Sequence, residues 1–583
     1  MALLPQFATG LTSARAASGV VRAALHVHTS FSEGSSGITG LASKATLASM
    51  ESHIDALAAL GFDLCFFTDH DHRMAGEGTG LRPVRYPGTE NLTAPHWRYV
   101  AERAGNPASG SARLTTNGLE ASIVAGAARG FQGMFVDCAP TDRDYRTTLA
   151  GVSLAFTMTH ATQGGWTEVR LRTSYHPARG GRAAGTYEIH YLFSPVATGR
   201  SISVQGRTAM VTVPVVRGQR QRLVVTPVDD ILAAFPDFGG LASDNGLYGI
   251  WIGVGAQAGS SASTLVTSFE ILRSLDGPAS LALQRSMMDT IGGLYPSVSL
   301  GSGLEASYST HMNLFGAPGA VKLLRPAAGE SKGPYLTRLV REIHAAGGVA
   351  SYNHPFGATI GTPATGSARA TKLTSTARTL LGNGLYGCDV LEVGYERRGN
   401  MDVTGHLDLW DILLAAGLRV VANGVSDDHA GTMTSWTGGT NHYVTDVISP
   451  TRETGQVTGL MGGGRAFVSL RTAFGGLLDL ACAGASMGGT SNTTGGTAEV
   501  MVVANGLPTG SSLRVIQTRV HGDRSVATPP PRLLDRSYSA SSLTGGLVTV
   551  GVSNVPSYVR AEVISSTGSR IAFSNPLWLA PTG

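Results

Sequence analysis

Apolar positions along this chain follow two periods, and the period changes several times. Val20-Val21-Arg22-Ala23-Ala24-Leu25 is a short apolar run of strand type. From Lys44 to Leu60 the positions Leu47, Met50, Ile54, Leu57 and Leu60 recur at spacings of three or four. That is the spacing of an amphipathic helix, and Gly61 ends it, since glycine tolerates the left-handed conformation past a helix end. Phe62 to Thr68 is a continuous apolar run, as expected of a strand buried on both faces of a parallel sheet. Residues 20–72 therefore predict strand, helix, strand.

From about residue 90 to 275 helical spacing fades and period-two runs replace it. Examples are Thr167 to Thr173, Thr186 to Phe193, Met210 to Val216, Arg222 to Thr226, Leu247 to Val254 and Thr264 to Leu272. Gly, Pro and Ser clusters separate them, the signature of an antiparallel sandwich. The β/α rhythm resumes near Ala279. Helices are predicted over 281–295, 335–346 and 406–416, and strands over 298–307, 349–353, 389–394, 419–423 and 465–470. From about 476 alternation returns, as in Ala498 to Ala504, Ser512 to Thr518, Gly546 to Val552 and Tyr558 to Ile564. The pattern divides the chain into 20–90 and 278–473 as two parts of one α/β unit, an insert at 91–277, and a C-terminal β unit at 474–583. The one internal echo, Gly-Leu-Glu-Ala-Ser at 118–122 and 303–307, lies in unlike surroundings and reads as coincidence.

Composition narrows the functional classes. At 583 residues the chain exceeds one ordinary core. Charged residues are 14% and glycines number 77, which fits a loop-rich globular protein. The net charge is +4 and there is no Lys/Arg run, so nothing indicates nucleic acid. The four cysteines, Cys65, Cys138, Cys388 and Cys482, form no Cys-x-x-Cys and no disulfide framework. No apolar run approaches the roughly 18 residues a membrane helix needs. Residues 1–20 lack a basic n-region and make a poor signal peptide; location in the cytoplasm and export with a removed signal both stay open.

The chemistry gathers at predicted strand ends. Side chains two apart on a strand share a face, so His26 and His28 form a ready ligand pair for a borderline metal. Further stretches supply matching pieces in order: Phe66-Phe67-Thr68-Asp69-His70-Asp71; Ser302-Gly303-Leu304-Glu305 with His311; Gly347 to Phe356 with His354-Pro355; and Gly424-Val425-Ser426-Asp427-Asp428-His429. Together with His26-Val-His28-Thr-x-x-Ser-Glu33-Gly, these resemble the motifs of the PHP (polymerase and histidinol phosphatase) metal-dependent hydrolases. The longer forms Asn423 to His429 and Asp389 to Tyr395 look most like the carbaryl-hydrolase-like branch.

The resemblance implies a distorted (β/α)7 PHP-type barrel, interrupted by the jelly-roll-like insert and followed by a C-terminal sandwich. It implies two or three divalent transition-metal ions (Zn, Mn or Fe) on His26, His28, Glu33, His70, Glu305, His311, His354, Asp427 and His429. His26, His28, Glu305 and Asp427 would hold the first; Glu305 would bridge to a second with His311 and His354; Glu33, His70 and His429 would hold a third. Glu33 stands where the family usually has Asp or His. Six imidazoles with three carboxylates suit these ions better than Mg or Ca. Asp69, Glu305 and Asp427 are the expected catalytic carboxylates. Asp69 is expected to orient a neighbour, with Asp69 or His72 as a guessed proton donor to the leaving group. Arg397 and Arg398 are either phosphate-binding or a solvated loop.

The implied function is hydrolysis by a metal-bridging hydroxide, with phosphoesters ahead of carboxyl or carbamate esters. The substrate would be a small-molecule or glycan-linked ester. A catalytically dead carbohydrate- or surface-binding protein is the rival from another class. Glu120 reads as a sandwich residue, and His53, His344 and His406 as ordinary exposed helix histidines. Glu392 reads equally as a residue at the site's mouth or a structural one. There is no P-loop and no Gly-x-Ser-x-Gly.

Overall fold

Val20–Ala24 is buried along its whole length because it has a neighbour on each side. It runs parallel to Leu64–Phe67 and antiparallel to Tyr443–Ile448. These contacts come from a computed structural model that describes residues 19–31, 49–70, 98–102, 109–137, 147–275, 277–307, 309–316, 326–438 and 441–582. Beyond Leu64–Phe67 the sheet continues through Ser299–Ala306, Met312–Phe315, Val349–Tyr352, Val390–Gly394 and Val421–Gly424. All these pairings are parallel except the two made by Met312–Phe315, which runs against both neighbours. In the other direction Tyr443–Ile448 leads to Ala466–Leu470 and on to Arg570–Ser574, Ser557–Ile564, Ser512–Arg519 and Arg532–Ser539, all antiparallel.

The expected (β/α)7 barrel is therefore corrected. The strands belong to a 15-stranded mixed sheet whose order begins at Val421–Gly424 and ends at Arg532–Ser539. A barrel of this class is a parallel ladder closed on itself, each strand followed by a helix. Here the ladder reverses at Met312–Phe315 and runs on into C-terminal strands. Among the described residues strand accounts for 42% against 22% helix, which is too little helix for that architecture. Leu477–Cys482, Ala485–Ser486, Thr497–Asn505 and Leu547–Ser553 make a four-stranded sheet, but the layer packed on it is the far end of the large sheet. Leu480, Val500, Val515 and Val563 share that core.

Residues 98–273 form a seven-stranded and a five-stranded sheet. Inward residues of both, such as Leu119, Phe156, Val169, Tyr191, Ile252 and Phe269, fill one core. That core does not stop at the insert: it is continuous with Met50, Ile54 and Leu57 of helix Met50–Ala59 and with Phe67. Glu120 lies on Gly118–Val124, a strand of the five-stranded sheet, and pairs with Arg113 at 2.9 Å. The helix Gly366–Gly382 has no counterpart in the sequence reading. Only Leu373, Ala377, Leu380 and Leu381 of it are buried, so its apolar stripe is too thin to register as a period. No helix among the described residues is long and apolar enough to cross a membrane.

Candidate metal centre

Parallel strands end on the same side of a sheet, and that is where open α/β sheets place their chemistry. His26 and His28 follow Val20–Ala24, His70 follows Leu64–Phe67, and Glu305 is near the end of Ser299–Ala306. His354 follows Val349–Tyr352, and Asp427 and His429 follow Val421–Gly424. Met312–Phe315 runs the other way, so its beginning lies at that side, and His311 immediately precedes it. The antiparallel strand thus delivers its ligand from the opposite terminus. Single bridges Val27↔Asp428 and His70↔Glu305 hold the strand extensions together.

The eight described ligand candidates meet around two carboxylates. Glu305 Oε2 lies 2.7 Å from His70 Nδ1 and 3.4 Å from His28 Nε2. Its Oε1 lies 2.9 Å from His311 Nδ1, 3.3 Å from His26 Nε2 and 3.6 Å from His354 Nε2. Asp427 Oδ1 lies 3.3 Å from both His26 Nε2 and His28 Nε2 and 3.0 Å from His429 Nε2. Three triads have ligand atoms within 4.8 Å of one another: His26, His28 and Asp427; His28, His70 and Glu305; and Glu305, His311 and His354. His70 thus groups with His28 and Glu305, where the resemblance had set it with Glu33 and His429. The His429 ring stacks on His28 at 4.0 Å. Glu33 and His72 lie outside the described residues. Two of the candidates carry positive backbone φ, His354 at 26° and Asp427 at 53°. Such strain in residues other than glycine costs energy and persists where the surroundings fix it.

Glu392 is the residue that sequence reasoning left open, and it belongs here. Its Oε1 lies 2.7 Å from His26 Nδ1, while Oε2 accepts from the His354 backbone N–H at 2.6 Å and from the Tyr395 hydroxyl. With Nδ1 turned to Glu392, Nε2 is the nitrogen that faces the other candidates, the usual arrangement of a metal-binding histidine. The signal was a lone Glu inside the apolar strand Val390–Gly394. Asp69 is fully buried. Oδ1 accepts from Thr29 N–H at 2.6 Å, and Oδ2 accepts from the Thr29 hydroxyl at 2.8 Å and Gln284 Nε2 at 2.5 Å. These bonds tie Asp69 to the loop that carries His28.

Arg397 is exposed and Arg398 buried. Arg398 Nη2 donates to Asp427 Oδ2, so the solvated-loop alternative fails for Arg398. His344 is exposed as expected, but His53 and His406 are buried. His53 Nε2 donates to the His28 carbonyl at 2.8 Å, and His406 Nε2 lies 3.2 Å from the Arg398 carbonyl. Both sit on helix faces turned to the site, which the apolar period alone does not reveal.

Burial and charge pull these groups apart. Burial works against the charged form of His26, yet Glu392 and Glu305 raise it to about 9. Burial, together with His429 and His70, holds His28 well below the usual range. Glu305 is held well below the carboxylate range by His311, His26 and His70, against the burial that would raise it. Two imidazole nitrogens 3.1 Å apart, His26 Nε2 and His28 Nε2, and two 3.2 Å apart, His354 Nε2 and His311 Nδ1, point at each other around shared carboxylates. Mixed nitrogen and oxygen donors converging in this way fit divalent Zn, Mn or Fe.

No family model and no curated protein matches the chain. Among solved structures, the catalytic domain of Humicola grisea Cel12A is 9% identical over 32% of this chain and 95% of that one, with a TM-score of 0.22. A family 11 carbohydrate-binding module of Clostridium thermocellum Lic26A-Cel5E is 13% identical over 34% and 97%, with a TM-score of 0.20. The family GH12 endoglucanase 3 of Trichoderma harzianum is 11% identical over 34% and 100%, with a TM-score of 0.19. Likeness at this level carries no argument about fold or function.

Proposed function

We propose that this protein is a metal-dependent hydrolase of ester bonds and that its substrates are phosphoesters. The observation that carries the reading is the three candidate triads, the first two joined through His28 and the last two through Glu305. His26, His28 and Asp427 would hold one ion and Glu305, His311 and His354 a second, with His70 and His429 at hand for a third. When bound, such ions would make water a nucleophile at neutral pH and would stabilise charge developing on the ester.

The chain's own residues do the rest. Glu392 fixes the His26 tautomer and, through the His354 N–H, the strained His354 backbone. Asp69 holds Thr29 and with it the His28 loop. Arg398 favours phosphoesters over neutral esters. It is buried, and its Nε and Nη1 have no hydrogen-bond partner among the described residues. A buried guanidinium with unpaired N–H groups is costly and matches phosphoryl oxygens in geometry and charge.

The test is turnover of p-nitrophenyl phosphate, bis-p-nitrophenyl phosphate and 1-naphthyl acetate, before and after chelation. Phosphoester turnover that chelator abolishes and Zn or Mn restores is the expected result. Turnover of 1-naphthyl acetate alone would move the substrate to carboxyl or carbamate esters.

A second reading, glycan binding by the insert, has one observation in its favour. On the seven-stranded sheet Trp251 stacks on Phe135 at 4.4 Å beneath the Arg172 guanidinium, beside Glu188 and His190. Aromatic rings beside paired polar groups suit polyhydroxyl ligands. Retention on insoluble polysaccharide that Trp251→Ala abolishes, with no ester turnover, would replace the first reading by this one.

A further inference from the structure

The loop that carries His28 is held on four sides. His28 N–H donates to the Asp428 carbonyl at 3.0 Å, and the His28 carbonyl accepts from His53. Thr29 is held by Asp69. The fourth hold comes from the insert: the Ser30 hydroxyl donates to Asp244 Oδ1 at 3.1 Å. Asp244 is fully buried and makes two more bonds. Its Oδ1 accepts from Met50 N–H at 2.8 Å and its Oδ2 from Glu51 N–H at 3.0 Å. It thereby caps helix Met50–Ala59 by accepting from two N–H groups of the first turn, which have no partner within the helix.

A second route joins the same parts. Glu51, in the first turn of that helix, is buried against three insert residues: Arg182, Arg179 at 2.9 Å and His176 at 3.4 Å. The Ser49 hydroxyl donates to the Tyr175 carbonyl at 2.7 Å. The helix so anchored carries His53, which reaches the His28 carbonyl. Both routes from the insert end on residues within two positions of His28.

We propose that Asp244, carried by the insert, is a positioning residue for His28. The insert is then part of what builds the centre. This rests on reading His28 as a metal ligand. Groups that hold a ligand residue in place typically matter 10–100-fold to metal affinity.

The test uses the full-length chain, stripped of metal and titrated with Zn against a chromophoric chelator, alongside thermal melts. Ser30→Ala removes the loop's bond to Asp244 and leaves the helix cap intact. It is expected to weaken one Zn-binding event about tenfold with little change in melting temperature. Asp244→Asn should weaken the same event at least as much. The double variant should be no weaker than Asp244→Asn alone, because both changes break one link. Wild-type Zn affinity in folded Ser30→Ala would overturn the proposal, even if Asp244→Asn failed to fold. A wild-type chain that takes up no Zn would instead overturn the metal reading itself.

Discussion

Glu305 is the residue on which the centre turns, since both its oxygens face imidazoles and it belongs to two triads. Glu305→Gln keeps the shape and removes the charge. It should lose at least two ions by elemental analysis and lower turnover at least roughly hundredfold, the scale of single electrostatic groups in catalysis. Glu120→Gln, in the same local sequence, should leave both unchanged, because Glu120 pairs with Arg113 on the insert. Glu392→Gln should weaken metal binding about 10- to 100-fold, read by Zn titration, because His26 and the His354 N–H lose their shared acceptor. The candidate ligands were legible through the motif resemblance; period two by itself placed only His26 and His28 on one face. His26, His28, His70, Glu305, His311, His354, Asp427 and His429 do come together. Glu392, His53 and Asp244 were not legible as supports. What each does depends on which strand, helix or loop lies beside it, and no local spacing records that.

At the scale of elements, the hairpin formed by Arg397–Arg398 and Met401–Asp402 aims Arg398 at Asp427. Its two-residue turn, Gly399 and Asn400, has φ of 58° and 53°, the pattern of a tight hairpin turn. A Cβ on Gly399 would lie 2.4 Å from the Phe356 backbone, two residues from His354. Gly399→Ala should therefore cost about 1–3 kcal/mol in urea unfolding and reduce turnover by shifting both Arg398 and His354. Strand Val390–Gly394 and helix Val403–Ala415 were readable from the sequence, whereas the Arg397–Asp402 hairpin read as a loop. Partners were not: Met312–Phe315 looks like any short apolar strand, yet it pairs antiparallel on both sides, and with it the barrel expectation fails. Periodicity reports which face of an element is buried and says nothing about which edge it joins.

For the whole molecule, the insert's alternating runs gave its β character, while its continuity with the core under helix Met50–Ala59 needed the structure. One buried network inside it sets a pH dependence. Burial would raise the Glu168 carboxyl, but His190, Arg170 and Arg129 hold it from an ordinary 4.5 down to about 2. A carboxylate whose folded value is depressed stabilises the fold above its unfolded value, and that contribution is lost as pH falls from 4.5 toward 2. The size is about 3 kcal/mol. Urea unfolding should show Glu168→Gln less stable than wild type near pH 6, with the gap closing toward pH 2; a gap independent of pH would contradict this.

The claim on which everything else depends is that these strand ends form a metal centre. Elemental analysis of the purified full-length chain, grown with added Zn and Mn, tests it most directly. Two or three transition-metal ions per chain, falling by at least two in Glu305→Gln, is the predicted result. No bound metal in the wild-type chain under those conditions would contradict it.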